Sequence, residues 1–235
     1  MTTSRKPTQN NNSHDRASSE LSKRALEISQ RLLKQYPGSA ADLCALKFAN
    51  PFELLVATIL SAQCTDKRVN MVTPVLFDKY GTPEKLAHAD INDVEEIIQS
   101  TGFFRSKASN IIKMAGMLTE DFSSRVPNTM EELVGLAGVG RKTANVVLSV
   151  AFGLPGLPVD THVKRLTNRL RLSEAKTPEA IEADLNKLIE PSVRGAFSLR
   201  LILHGRNICT AASPKCDKCI VADLCPSSAM PGFRV

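Results

Sequence analysis

Leu136-Ala137-Gly138-Val139-Gly140-Arg141-Lys142-Thr143-Ala144-Asn145 is the stretch on which the reading of this chain turns. Upstream, Thr129 to Val134 predicts a short helix, and Thr129 and Glu132 have capping-box spacing, which would satisfy two orphan backbone donors reciprocally. Downstream, Ala144, Val147, Leu148 and Ala151 recur at helical spacing, and Gly153 stands where a C′ glycine belongs. Two helices therefore flank a tight turn with glycines at 138 and 140. Glycine tolerates positive φ and presents no Cβ, so the N–H groups of Gly138, Val139 and Gly140 can approach an anion closely. The positive end of the following helix adds to that attraction. A plain connector between two packed helices fits the same glycine spacing. Lys142 argues for the anion site, because it lies in the first turn of the second helix, where the dipole disfavours a cation.

Charge points the same way. Lys plus Arg number 30 against 24 Asp plus Glu, a net charge of +6, which suits a polyanionic partner such as nucleic acid. The 235 residues are enough for one large or two modest domains, and 43% hydrophobic content is that of a globular chain. No apolar run reaches membrane-spanning length and the N-terminus lacks a signal-peptide core, so no membrane partner and a cytoplasmic setting are expected. In that setting the six cysteines point to metal binding or burial rather than to disulfides.

Every apolar pattern has period 3.6 and none has period 2, so the fold class is all-α. Residues 1–18 are polar and are expected to form a disordered tail. A first helix carries Leu21, Ala25, Ile28 and Leu32 on one face. Asn50-Pro51-Phe52-Glu53 is a helix start, with Asn as cap, Pro at the first helical position and Glu at the third. The buried helix it opens stops at Ser61-Ala62-Gln63-Cys64-Thr65-Asp66, where Thr65 or Asp66 can cap the next. A further break falls at Thr101-Gly102-Phe103-Phe104-Arg105, before an amphipathic helix with Ala108, Ile111, Ala115 and Leu118. The Pro/Gly-rich segment Leu154–Pro158 is a domain boundary by composition, and Asp160 or Thr161 caps the helix beyond it. A last apolar helix, about 193–208, runs into a cysteine cluster.

Chemistry concentrates in three places. Cys209-x6-Cys216-x2-Cys219-x5-Cys225 places four thiols within seventeen residues, a set that selects zinc or an iron–sulfur cluster, and spacing does not separate the two. Lys215 in that loop, with Arg206 just ahead, could hold a phosphate or could simply be solvated. Lys142 is the candidate nucleophile: an amine attacks only when neutral, and the helix N-terminus together with Arg141 would disfavour its charged form. A lysine that only contacts phosphate is the alternative. Asp160 is either a helix cap or a carboxylate beside that lysine, placed to stabilise a cationic sugar or to relay protons.

Taken together, the Ser61–Asp66 run, the Leu136–Leu148 run, Val159-Asp160-Thr161-His162, Leu203-His204-Gly205-Arg206 and the four cysteines resemble endonuclease III, the bifunctional DNA glycosylase and abasic-site lyase family of the helix–hairpin–helix superfamily. The resemblance spans about residues 21–226. It implies two helical lobes with DNA across the cleft between them. One is a six-helix barrel over 44–154 with the helix–hairpin–helix at 129–152, and the other combines 19–43 with 155–235. It implies that Lys142 forms a Schiff base, that Asp160 is the catalytic aspartate, and that Cys209, Cys216, Cys219 and Cys225 hold a [4Fe–4S] cluster rather than zinc. Gln63 matches the side chain that fills the gap left by an extruded nucleotide, Phe103 a second wedge, and His162 a position near the lesion pocket. The implied partner is double-stranded DNA carrying damaged pyrimidines or abasic sites, bound by a monomer in the bacterial cytoplasm, associated with the nucleoid. Two departures stand out. Phe103 replaces a leucine known in the family, and Ala137 replaces the usual hairpin proline, which lets the turn sample more conformations. The adenine-specific mismatch glycosylases share the hairpin, the aspartate and the cluster. They lack the nucleophilic lysine and carry a long C-terminal domain, whereas here only ten residues follow Cys225.

Overall fold

The computed structural model describes residues 11–229, with side chains from residue 19 onward, and every regular element among them is helical. Helix α1, Asn11–Gln35, starts earlier than the expected end of a tail at residue 18. No proline or glycine interrupts the chain between Pro7 and Pro37, so nothing local stops a helix from extending through the polar stretch. The tail reading is thus corrected for 11–18, and residues 1–10 lie outside the described residues.

The remaining helices are α2 Ala40–Leu43, α3 Pro51–Leu60, α4 Asp66–Tyr80, α5 Pro83–Ala87, α6 Ile91–Ile98, α7 Phe104–Asp121, α8 Met130–Gly135, α9 Arg141–Ala151, α10 Thr161–Arg169, α11 Pro178–Leu188 and α12 Arg194–Asn207. Their starts follow cap chemistry. Asn50, Thr65, Thr82, Asp90, Thr129, Asp160 and Thr177 each accept a backbone N–H from the first turn of the helix they open. Each such cap contributes about 1 kcal/mol. The reciprocal box expected at α8 is only half formed. The Glu132 N–H reaches the Thr129 hydroxyl at 3.3 Å, but the Glu132 carboxylate takes that hydroxyl's own proton at 2.6 Å and leaves the Thr129 N–H alone. A complete box closes instead at α2, between Ser39 and Asp42.

Buried side chains form two clusters. The first surrounds α3, whose Leu54, Leu55, Val56, Ala57 and Leu60 are wholly excluded from solvent. Leu76 of α4, Val94 and Ile98 of α6, Ile111, Met114 and Leu118 of α7, and Ala144 and Val147 of α9 close around it. A helix apolar on every face has to sit at the centre of such a packing. Each large side chain removed from water there contributes roughly 1.5–3 kcal/mol. The second cluster joins Ala25, Ile28 and Leu32 of α1 to Val163, Leu166, Ile181, Leu185, Phe197, Leu201 and Val221. Helix α12 packs on α10 and α1 from one side and on α2 and α9 from the other. Gly195 permits the contact with α9, because a Cβ there would stand 2.3 Å from that of Ser149.

Two arginines of α1 bind the C-terminal loop to the start of the described chain. Arg24 donates to the carbonyls of Leu170, Arg171 and Leu224. Arg31 donates to the Ile220 carbonyl at 3.2 Å and pairs with Asp223 at 2.6 Å.

Candidate active site and metal-binding loop

The hairpin forms as its glycines require. Gly138 has φ +75°, and a Cβ there would lie 2.8 Å from the Cβ of Asn110 on α7, so this position needs glycine for both conformation and space. The Val139 N–H turns inward to the Leu136 carbonyl at 3.1 Å. That removes one of the three N–H groups expected to face an anion. Gly140 caps α9 through its backbone alone, with no side-chain cap, so the N-terminal donors of α9 stay open to an outside acceptor.

Lys142, in the first turn of α9, is exposed and lines a cleft of about 90 Å³. Asp160 lines the same cleft from the other side of the chain's two clusters, together with Cys44, Ser61, Asp66, Leu203 and Arg206. The two residues singled out 18 positions apart are thus brought together. Asp160 is the cap of α10 and also lines the cleft with Lys142. Its Oδ1 accepts the Val163 N–H at 2.8 Å and caps α10, and its second oxygen has no hydrogen bond among the described residues. Asp66, freed because Thr65 caps α4, pairs with Arg206 at 2.9 Å along this cleft. Arg206 is therefore an inter-cluster clasp rather than a companion of Lys215.

Arg141 is also differently placed from the expectation. Its guanidinium makes a two-pronged ion pair with Glu182 of α11, both contacts at 2.8 Å, so its charge is compensated rather than bare beside Lys142. The Arg141 guanidinium is held well on the cationic side by that carboxylate. Buried Glu182 also accepts from Asn145, and Asn145 in turn accepts the Leu157 N–H at 3.0 Å, tying α9 to α11 and to the connector.

Gln63 and Phe103 are exposed on two separate turns, and both adopt left-handed backbone, with φ +52° and +48°. Phe103 is 69% exposed, an unusual state for a phenyl ring in a folded chain. Strained backbone of this kind persists where surrounding structure imposes it, and it clusters at sites of action. Neither residue lines the cleft, nor does His162, whose Nδ1 lies 3.2 Å from the Arg165 guanidinium.

The four loop cysteines surround a cavity of about 170 Å³, which Arg169, Lys215 and Ala222 also line. Among the described residues no three Cys, His, Asp or Glu side chains converge on a point that one metal ion could occupy. Four thiols lining one cavity suit a metal centre. Polar groups already touch the sulfurs: Arg169 donates to Cys209 Sγ at 3.2 Å, and His204 Nε2 lies 3.3 Å from Cys219 Sγ. Burial pushes the Cys219 thiol up to about 11, with the other three thiols adding to the rise, and burial raises Cys225 too. Lys215 donates to the Asn207 carbonyl at 3.2 Å and stays exposed at the mouth. Cys44 and Cys64 are half-buried and pack against the first cluster.

Residues 56–191 match the HhH-GPD superfamily of base excision DNA repair proteins. The chain belongs to this family. Endonuclease III of Synechocystis is 53% identical over 206 residues, which cover 87% of this chain and 93% of that protein. Endonuclease III of Escherichia coli K12 is 42% identical over 200 residues, 85% of this chain and 93% of its own. Among solved structures, a non-covalent endonuclease III–DNA complex superposes with a TM-score of 0.82 at 40% identity, covering 88% of this chain and 96% of that one. A trapped covalent endonuclease III–DNA intermediate gives 0.82 at 41% with the same coverage. The resemblance to endonuclease III and the all-α helix–hairpin–helix fold therefore hold, and the chain is a base excision repair enzyme acting on damaged DNA. Among the described residues no helix is long and apolar enough to cross a membrane.

Three features of this endonuclease III relative were not legible as functional. Lys107 is buried, Glu182 is buried, and Asp66 meets Arg206 across the cleft. For Lys107 a signal existed: it falls on the same helical stripe as Ala108, Ile111, Ala115 and Leu118, where a charge is out of place.

Proposed function

We propose that this chain removes oxidised pyrimidines from double-stranded DNA and then cleaves the abasic site by β-elimination, with Lys142 as nucleophile. The observation that carries this reading is the cleft shared by Lys142 and Asp160. The target sugar carbon is hidden in a duplex, so the nucleotide must first leave the stack. The open N–H groups of the hairpin hold a backbone phosphate, and Gln63 and Phe103 enter the vacated space. His162, the second residue of α10 and two positions beyond Asp160, sits beside the extruded base. In its neutral form the Lys142 amine bonds to C1′ as the bond from C1′ to the base breaks, and the base departs with the electron pair and takes up a proton. Loss of a proton from nitrogen and opening of the sugar give the imine. Removal of a C2′ proton then expels the 3′ phosphate and leaves a nick. The free oxygen of Asp160 stabilises the cationic sugar while its partner oxygen keeps the cap.

Cys209, Cys216, Cys219 and Cys225 are assigned a [4Fe–4S] cluster, which would supply a covalent crosslink of the loop and no step of the reaction. Arg169 donates toward the Cys209 sulfur, His204 abuts that of Cys219, and the loop presents Lys215 to the phosphate backbone. The functional units are 44–154, with the hairpin at 129–152, and 19–43 joined to 155–235. The working form is a monomer on chromosomal DNA in the cytoplasm. Borohydride reduction of an abasic duplex with the wild-type chain is expected to give a covalent adduct that mass spectrometry maps to Lys142. Lys142→Ala should bind the duplex and form neither adduct nor nick. Nicking by that variant through an adduct elsewhere would overturn the assignment.

A further inference from the structure

Lys107, in the second turn of α7, is buried to 5% exposure yet carries an ammonium group. Its Nζ donates to two carbonyls, Leu60 at 2.8 Å and Thr101 at 2.8 Å. Leu60 is the last residue of α3, and the turn it feeds carries Gln63. Thr101 ends the short 3₁₀ turn 99–101, and the next two residues are Gly102 and Phe103. Neither carbonyl accepts another hydrogen bond among the described residues. One buried cation is thus the shared partner of the two turns that hold the candidate wedges. A cation at the C-terminal end of α3 also sits where the helix dipole favours it. The backbone supports the link from the other side, since the Lys107 N–H donates to the Phe103 carbonyl at 3.1 Å. Burial lowers the Lys107 ammonium from its usual range, with the Cys64 thiol as a weaker opposing influence. Fold stability alone is poorly served by this arrangement, because a buried charge costs more than an apolar side chain of the same length. Lys107 is also distinct from the groups that meet the reacting sugar, since it does not line the Lys142–Asp160 cleft.

We propose that Lys107 is a positioning residue that locks the Gln63 turn and the Phe103 turn into one insertion unit, so that the two wedges enter an opened duplex together. This rests on the reading of Gln63 and Phe103 as wedges. The lock sets their separation, and their left-handed backbone is the strain it holds. Loss of the ammonium leaves two buried carbonyls unpaired and lets each turn relax independently.

The test uses the holoprotein and a duplex with one abasic site opposite 2-aminopurine, whose fluorescence rises when the opposite base is displaced. Wild type should raise the signal on binding. Lys107→Met should reduce that rise and slow borohydride-trapped adduct formation on the duplex by roughly tenfold or more, the scale of a small misplacement. The same measurement on an abasic single strand, which has no partner strand to open, should fall much less, and an equal fall on both would overturn the proposal. Gln63→Ala and Phe103→Ala should be non-additive with Lys107 intact and additive in the Lys107→Met background. If each of those two single variants displaces the base as wild type does, the wedge reading itself fails. If they matter while Lys107→Met changes neither fluorescence nor coupling, only the lock fails. Should Lys107→Met not fold, Lys107→Gln, whose uncharged and shorter side chain cannot bridge both carbonyls, replaces it and should show the same losses in smaller measure. Amide exchange of otherwise unaltered protein gives an independent readout: Gln63→Ala should abolish DNA-induced protection at 102–104, and retained protection there overturns the lock.

Discussion

At the scale of single residues, Asp160 of the candidate centre accepts the first-turn N–H of α10 with one oxygen and lines the cleft it shares with Lys142. Asn can cap as well as Asp, whereas Ala cannot. Asp160→Asn should therefore keep its melting temperature within about 2 °C, while Asp160→Ala should lose about 1 kcal/mol, or roughly 2–4 °C for a chain of this size. Both should slow base release in single-turnover assays by roughly a hundredfold, within the usual range for a group that assists proton transfer. Undiminished turnover in the Asn variant would reduce Asp160 to a cap. The shared cleft of Lys142 and Asp160 was legible because each sits at a recognisable local boundary, a glycine turn in one case and a proline connector in the other. Glu182 and Lys107 were not, because their partners lie 41 and 47 residues away and only the folded chain brings them into contact.

At the scale of elements, cap chemistry in the sequence foretold the starts of α3, α4, α8 and α10, and it did so for a local reason: the capping side chain accepts from an N–H only three residues on. Helix α2 escaped notice because four residues carry no periodicity, and α1 overran the expected tail because polar composition is a weaker signal than the absence of breakers. The hairpin is the element whose sequence and geometry agree most closely. Gly138→Ala should cost about 1–2 kcal/mol for the left-handed backbone, with more from the approach to Asn110. The same change displaces the N-terminus of α9, so duplex affinity should drop along with the melting temperature. Gly135→Ala is the control, since a Cβ there meets nothing within 4 Å and φ is ordinary. If Gly138→Ala binds abasic duplex as wild type does, the hairpin is a connector and not a phosphate grip. The retained Ala137 does not prevent the turn from closing, as the Val139 to Leu136 hydrogen bond shows.

Across the whole molecule, the four-cysteine cage closes a lobe whose other parts come from both ends of the described chain. Periodicity supplied the helices of that lobe, while their assembly became legible only through resemblance to a family. If the cage holds the proposed iron–sulfur cluster, removal of iron should weaken this lobe selectively. In the iron-free chain Cys219 is held near 11 and Cys225 is raised, above the 9.0 of a free thiol. Between pH 9 and 11 the unfolded chain therefore releases protons that the folded chain keeps, so stability is full below that window and falls as pH rises through it. Urea midpoints of iron-free protein should drop between pH 8 and pH 10.5, while iron-loaded protein, with its thiols already deprotonated, should show a much smaller change. Equal slopes for both forms would mean that the thiols do not face a metal.

The arginine bonds from α1 to the C-terminal loop have a further consequence for how the chain is made. Residues 40–151 supply nearly all of one core without help from either end, so they can condense while the ribosome is still adding the rest. The other core waits for Val221, Asp223 and Leu224 to emerge before Arg24 and Arg31 find their carbonyls. The Lys142 side of the cleft is thus in place early, and the Asp160 side is secured only once residues 220–224 have emerged. A stalled, shortened polypeptide would own the nucleophile but lack the framework that aims it, a built-in delay between synthesis and the power to cut a chromosome.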